Sequence, residues 1–403
     1  MNFIIFDDEK RENFYPITLT RSTGDLRVGV LKLRQRLNAY FNIEEDKIII
    51  STDLETIYKE RHPEWKINEI VSEDTIFINS RSIIDDEVCE KIKALELNMA
   101  LESNGEIVAA RLIPQTKNVK DIFEQFSKCQ GMETEIGLWQ YIWQLIEANG
   151  EYIQKDFTNF FYEKDNFFET EMGITILDPY NIWLGEGTSI SPGVVIDASE
   201  GPVILDEGAK IMPNAVIIGP AYIGKNSTIK VGAKIYEGTS IGPVCKVGGE
   251  VEESIILAYS NKQHDGFLGH SYLGEWVNLG ADTNNSDLKN NYSNVKVYHY
   301  PSKKQVDSGT QFMGMVVGDH TKTGINSTIN TGTVIGVGCN IYGKDLVTNF
   351  TGDFSWGEAG NFTKYRLDKF LETAELVKAR RKLKLSEEEK ELYKKIFPKE
   401  FTL

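Results

Sequence analysis

In the second half of the chain, aliphatic residues recur at every sixth position: Leu205, Ile211, Ile217, Ile223, Ile229, Ile235, Ile241 and Val247. Four residues after each of the first seven stands a small side chain: Ala209, Ala215, Ala221, Ser227, Ala233, Thr239 and Cys245. A second run carries Val317, Thr323, Ile329, Ile335 and Ile341, with Thr321, Ser327, Thr333 and Cys339 at the small positions. Leu184, Ile190 and Ile196 join from upstream until Glu200–Pro202 interrupts them. Ordinary strand alternation has period two and sets no small residue at a fixed phase of six. The pattern predicts a coil of three short strands per turn. Aliphatic side chains fill a triangular prism, and the small ones let the backbone turn its corners. Turns stacked at the ~4.8 Å strand spacing would hydrogen-bond to their neighbours.

The first half follows a different rhythm. Residues 2–6 (NFIIF), 47–51 (KIIIS) and 75–80 (TIFINS) read as short buried strands. Between the first two, Leu26, Val30, Leu33 and Leu37 share a helical face, which predicts a helix from Asp25 to Tyr40 with Asp25 as its N-cap. Residues 99–110 predict a hairpin around Asn104-Gly105. This mixture indicates an α/β domain with a Rossmann-like start. A helical connector containing Trp139 and Trp143 follows it. The expected organisation is an α/β domain over 1–150, a connector over 151–173, a β-helix over 174–345 and a helical tail over 346–403. The tail from Leu367 to Phe397 is rich in charge and is read as a solvated helix.

A chain of 403 residues that is 41% hydrophobic suffices for two cores. Its net charge of −16 repels phosphate backbones, so nucleic acid is not an expected partner. Small phosphorylated ligands stay compatible with it, because a few local cations outweigh a distant acidic surface. The opening MNFIIFDDEK does not read as a signal peptide, and no apolar stretch reaches the ~18 residues that span a bilayer. Cys89, Cys129, Cys245 and Cys339 lack metal-ligand spacing. Reduced thiols in a cytoplasmic protein, with no membrane partner, are the expectation.

The six-residue count fails between Val247 and Val317, and departures from a regular solenoid are where function concentrates. The segment includes His264-x-x-Phe267-Leu268-Gly269 and Val277-Asn278-Leu279-Gly280-Ala281-x-Thr283. These motifs resemble the acetyltransferase half of the bacterial bifunctional N-acetylglucosamine-1-phosphate uridylyltransferase/glucosamine-1-phosphate acetyltransferase family. The nearest likeness is to its sugar-phosphate nucleotidyltransferase-like branch. The resemblance covers residues 184–345 well and 1–110 weakly. It implies a left-handed sense for the parallel β-helix, a homotrimer with acyl sites in the clefts between prisms, and acetyl-CoA as co-substrate. It also implies that His264 is the general base, taking a proton from the sugar amine as nitrogen attacks the thioester. Phe267 stands where the family has a tyrosine. Asn278 matches a substrate-binding asparagine. Asp287 falls at a second such asparagine, whose role neighbouring Asn284 or Asn285 could take. Lys296 and Lys234 stand for phosphate-neutralising cations, and Ala281 for a backbone position lining the acetyl-CoA site. Lysine offers a point charge in place of a bidentate fork.

The stretch Pro16–Arg27 is similar to the opening loop of sugar nucleotidyltransferases. There a glycine-rich loop with basic residues cradles a nucleotide triphosphate. Gly24 is the one glycine within it, and Arg21, Arg27 and Lys32 are the candidate phosphate contacts. The family binds Mg²⁺ through an aspartate that ends a central strand, but the matching strand here reads Phe77-Ile78-Asn79-Ser80-Arg81. An arginine in place of that carboxylate argues against a metal-assisted N-terminal reaction. Three readings follow. The first is N-acetylation of an amino sugar-1-phosphate. The second is sugar-1-phosphate nucleotidyltransfer from UTP or dTTP with the β-helix as scaffold. The third is a non-catalytic protein that binds a sugar nucleotide.

Overall fold

A computed structural model describes residues 2–167 and 172–399. In the N-terminal domain, strands pair in the order Lys66–Ile67, Lys47–Ile49, Asn2–Phe6, Thr75–Asn79, Glu106–Leu112, Met99–Ser103 and Gln130–Glu133. The first four are parallel, and the hairpin strand Glu106–Leu112 joins them antiparallel. Alternate residues serve the two faces. Ile5, Ile76 and Ile78 pack with Leu37, Leu54 and Ile92 on one side, while Ile4, Phe6 and Phe77 pack with Ile122 and Phe126 on the other. Burial on both faces is why these strands read as unbroken apolar runs.

The helix expected from Asp25 to Tyr40 is shorter, running Leu33–Phe41. Leu26 and Val30 are buried as the pattern requires, but they belong to a tight hairpin, Arg27–Val28 with Leu31–Lys32. Tertiary partners capture the backbone donors that a helix would use. Gly29 N–H donates to Asn149 Oδ1 at 2.7 Å, and Val30 N–H to Asp156 Oδ2 at 2.8 Å. Gly29 itself has φ +68°, and a Cβ there would meet the Tyr152 carbonyl oxygen at 2.8 Å. Asp25 is therefore no N-cap; its carboxylate accepts from Lys32 Nζ at 3.0 Å and from the Tyr58 hydroxyl.

The second half is a left-handed parallel β-helix, the coil that the repeat predicts with the hand that the resemblance implies. Three parallel sheets form its walls. In the regular part, Ile217 pairs with Ile235, Ile223 with Ile241 and Ile229 with Val247, each eighteen residues on. The repeat positions Leu205 to Val247 and the small residues Ala209, Ala215, Ala233 and Cys245 share one continuous core. The prism outlasts the expected end at 345. Phe350–Thr351 and Ser355–Glu358 add further rungs, and Asn361–Lys364 pairs antiparallel with the latter.

The interruption after Val247 is a change of spacing and not a break in the coil. Ile235 pairs with Val251 after sixteen residues and Ile256 with Leu273 after seventeen, so shortened corners lose the phase of six while the rungs continue. The true excursion lies between Leu273 and its partner Val317, forty-four residues on. It carries a hairpin, Lys296–His299 with Lys304–Asp307. Val295 and Val297 on this excursion pack with Phe14, Ile17 and Trp139, and His299 Nε2 lies 3.0 Å from Asn13 Oδ1. The excursion docks the α/β domain onto the prism.

The tail is not a solvated helix. Its helices Leu367–Ala379 and Glu387–Ile396 bury Phe370, Ala374, Leu392 and Tyr393. Buried Glu389 accepts from Lys378 and from Arg61 of the α/β domain (3.2 Å), and Phe370 and Tyr393 set their rings edge-on to His320 of the prism. Charge that reads as solvated in one dimension is here paired between elements. The four cysteines are free thiols. Among the described residues no helix is long and apolar enough to cross a membrane.

Candidate functional site

On one wall of the prism, Lys234 pairs in register with Glu250, and Glu250 with Phe267. Because side chains alternate across a strand, these three share the outer face while Ile235, Val251 and Leu268 fill the core. Lys234 Nζ and Glu250 Oε2 are 3.6 Å apart and well exposed, so the pair is weak and Lys234 is only partly neutralised.

His264 sits on the exposed corner that leads into Phe267–Gly269, and its ring makes no hydrogen bond among the described residues. Its backbone is fixed from beneath by a residue that the repeat count passes over. Lys262 is in register with Val247, at a core-facing position, and is 3% exposed. Its ammonium donates to the carbonyls of Gly248 (2.9 Å), His264 (3.2 Å) and Gly266 (2.5 Å). Burial pushes its pKa down to about 8. Gly266 has φ +116°, and a Cβ there would collide with the carbonyl of Thr283 on the next turn. The corner that presents His264 is thus held on both sides.

The next turn is joined to this rung by side-chain amides. Phe267 N–H donates to Asn284 Oδ1 at 2.8 Å. Asn285 brackets Gly269, accepting from its N–H at 3.1 Å and donating to its carbonyl at 3.0 Å. Asn285 is buried and spent on this scaffold. Asp287 Oδ2 lies 2.8 Å from His270 Nδ1, and the His270 ring stacks on Phe312. Glu252 completes a half-buried group in which the ligand atoms of Glu252, His270 and Asp287 lie within 4.8 Å of one another. Burial, and then the neighbouring Asp287, raise the Glu252 pKa. A carboxylate-oriented histidine has the build of a base, and the three groups could also hold a divalent ion. The second histidine of the segment was the available signal for this cluster.

Other expected contacts lie apart. Asn278 bridges Asn261 and Lys322 on another wall, and Ala281 follows it, its carbonyl accepting from Asn326 N–H at 2.7 Å. Lys296 is exposed on the docking hairpin.

In the α/β domain, Asp7 follows the first strand and Ser80 the central one, where ligands bind in such sheets. The buried Asp7 carboxylate accepts from Ser22 Oγ (3.0 Å), Ser80 Oγ (2.7 Å) and Thr23 N–H (3.0 Å). Arg81 is fully buried, and its guanidinium joins Asp8 and Glu106 at 2.5 Å each. A fixed cation therefore already neutralises Asp8 and Glu106, while Asp7 is held by two hydroxyls and a backbone N–H. With Asp8 and Glu106 paired to Arg81 and Asp7 already accepting three hydrogen bonds, the donor set does not suit Mg²⁺. Arg21 and Arg27 face the prism instead of this crevice. Arg21 pairs with Asp319 and with Glu275 (3.3 Å), and Lys32 pairs with Asp25.

Residues 3–164 match the family model described as sugar nucleotidyl transferase. A bifunctional sugar-1-phosphate nucleotidylyltransferase/acetyltransferase of Sulfurisphaera tokodaii is 36% identical over 165 residues, 40% of this chain and 39% of its own length. The bifunctional protein GlmU of Acaryochloris marina is 26% identical over 201 residues, 45% and 40% of the two chains. The chain thus spans about two fifths of these curated relatives. The solved UDP-N-acetylglucosamine acyltransferase from Campylobacter jejuni aligns over 56% of this chain and 94% of its own, at 12% identity and a TM-score of 0.29, too low to bear on function. Residues 3–164 are thus similar to the sugar nucleotidyl transferase family, and the chain, which continues into a β-helix, is similar over about two fifths of its length to bifunctional sugar-1-phosphate nucleotidylyltransferase/acetyltransferases.

Proposed function

We propose that the protein transfers an acetyl group from acetyl-CoA to the amino group of a sugar-1-phosphate of the glucosamine-1-phosphate type. The observation that carries this reading is the presentation of His264: a solvent-facing imidazole on a corner whose backbone Lys262 clamps, beside the column of Phe267, Glu250 and Lys234. The ring nitrogen takes the proton as the sugar amine attacks the thioester carbonyl, and coenzyme A leaves as thiol. Lys234 supplies charge for the sugar phosphate and Asp287 hydrogen-bonds the sugar, whereas Asn278 and Lys296 lie apart from this corner and would serve only a site shared with a neighbouring prism. Asn285 acts by holding Gly269, and Ala281 lines the acetyl-CoA groove. A homotrimer would complete the site from a neighbouring prism; sedimentation as a monomer would remove that part. Thiol release with glucosamine-1-phosphate, wild type against His264→Ala and His270→Ala, tests the assignment.

The match over residues 3–164 favours a second reading, nucleotidyltransfer from UTP or dTTP to a sugar-1-phosphate. Pyrophosphate release tests it. Stabilisation by a sugar nucleotide with neither turnover would point to a binding protein.

A further inference from the structure

Glu252, His270 and Asp287 reach one place from three successive turns of the prism. Glu252 ends the strand Glu250–Glu252, His270 follows Phe267–Gly269, and Asp287 comes two residues after Asn284–Asn285. Each offers one ligand atom, and these atoms lie within 4.8 Å of one another. Tetrahedral coordination by nitrogen and oxygen at ~2.0–2.2 Å spaces ligand atoms by ~3.3–3.6 Å, so an adjustment on the order of 1 Å closes the set around one ion.

The surroundings favour positive charge. Glu252 is half-buried, and among the described residues no hydrogen bond or ion pair holds its carboxylate. The charges acting on it are the carboxylates of Asp287, Glu237 and Glu250, against the single imidazole of His270. A neutral imidazole compensates none of them, and like charges kept partly from water are costly without a counter-ion. A divalent ion supplies two positive charges at once.

The ligand positions are set by the backbone. His270 N–H donates to the Glu252 carbonyl (3.3 Å), Gly314 N–H to the His270 carbonyl (2.8 Å) and Met313 N–H to the Asp287 carbonyl (2.8 Å). The His270 ring stacks on Phe312 with centroids 5.0 Å apart, and its Nδ1 lies 2.8 Å from Asp287 Oδ2. Gly269 permits that approach, because a Cβ there would strike Asp287 Oδ2 and the Phe267 ring. The side chains of His270 and Asp287 are 20% and 13% exposed, which leaves an entry path from solvent.

We propose that Glu252, His270 and Asp287 form a binding site for a divalent transition-metal ion of the Zn²⁺ class. One imidazole with two carboxylates suits Zn²⁺ or Co²⁺ better than Mg²⁺ or Ca²⁺, which take oxygen ligands. Three protein ligands leave a fourth position for water or for an oxygen of a bound molecule. The ion replaces the hydrogen bond between His270 and Asp287, and it pins the excursion that carries Asp287 to the rungs beneath. The site lies beside Phe267 but does not rest on the acyl-transfer reading, and Asp287 keeps its second oxygen for a sugar.

Calorimetric titration of the chelator-treated full chain with Zn²⁺ and with Mg²⁺ tests the site, with thermal unfolding as a second readout. One equivalent of Zn²⁺ is expected to bind saturably in the micromolar range and to raise Tm, while Mg²⁺ binds roughly 100-fold more weakly or not at all. His270→Ala, Glu252→Gln and the near-isosteric Asp287→Asn should each weaken Zn²⁺ by roughly tenfold or more and remove its effect on Tm, whereas Cys129→Ser should do neither. Should the variants fail to fold, the visible absorption of the wild-type Co²⁺ complex decides: an intense four-coordinate spectrum supports the site, and the weak spectrum of aqueous Co²⁺ overturns it. Absence of saturable Zn²⁺ binding would overturn the proposal. So would binding that survives all three substitutions, or that is lost with His264→Ala instead. Thiol release enters none of these outcomes, so this site and the acyl-transfer reading stand or fall separately.

Discussion

Arg21, in the loop after the first strand, and Asp319, on the prism, are buried ion-pair partners separated by almost three hundred residues. Thr20 Oγ donates to the same carboxylate at 2.7 Å, and Glu275 N–H at 2.8 Å. Removing Asp319 leaves buried Arg21 with Glu275 alone as counter-ion (3.3 Å) and takes the acceptor from Thr20 Oγ and the Glu275 N–H. Asp319→Ala is therefore expected to cost about 3–5 kcal/mol in urea unfolding. A loss under ~1 kcal/mol would show that the junction does not depend on this pair.

Lys262 links stability to pH. Its folded pKa of about 8 lies below the ordinary 10.5, because burial disfavours the charged form. Between those values the unfolded chain binds more protons than the folded one. Stability should therefore rise with pH across that window relative to Lys262→Met, by up to ~3 kcal/mol. A difference between the two proteins that stays flat from pH 8 to 10.5 would contradict the assignment.

Tyr393 anchors the tail through Phe370 and His320 and is 2% exposed. Tyr393→Ala should destabilise by about 3–5 kcal/mol, as for other large aromatic truncations in a core. Limited proteolysis should then cut first between the two tail helices. A tail that is only solvated would show neither effect.

Much of the prism was legible because its inward positions repeat a single requirement, aliphatic at the wall and small at the corner, from Leu205 to Val247. The requirement persists beyond Val247, but corners of unequal length shift its phase. Lys262 hides an inward position because its ammonium finds three carbonyls inside the corner. The docking role of the hairpin is not legible in the sequence around Lys296, because its partners Phe14 and Asn13 are remote in the chain. The same remoteness shortened the predicted first helix: Asn149 and Asp156 take the donors of Gly29 and Val30. Of the candidate residues, the column of Lys234 and Phe267 is a direct consequence of register. The contacts of Asn285 with Gly269, and of His270 with Asp287, depend on how successive turns stack.

The central claim is that His264 is the base of an acyl transfer on this prism. The most direct measurement is coenzyme A thiol release with acetyl-CoA and glucosamine-1-phosphate, comparing wild type, His264→Ala and His270→Ala. Loss of about 10²–10⁴-fold in kcat for His264→Ala, with the fold intact and His270→Ala less affected, is the predicted result. Thiol release that survives His264→Ala undiminished, or that is absent from the wild type on every amino sugar phosphate, would contradict it.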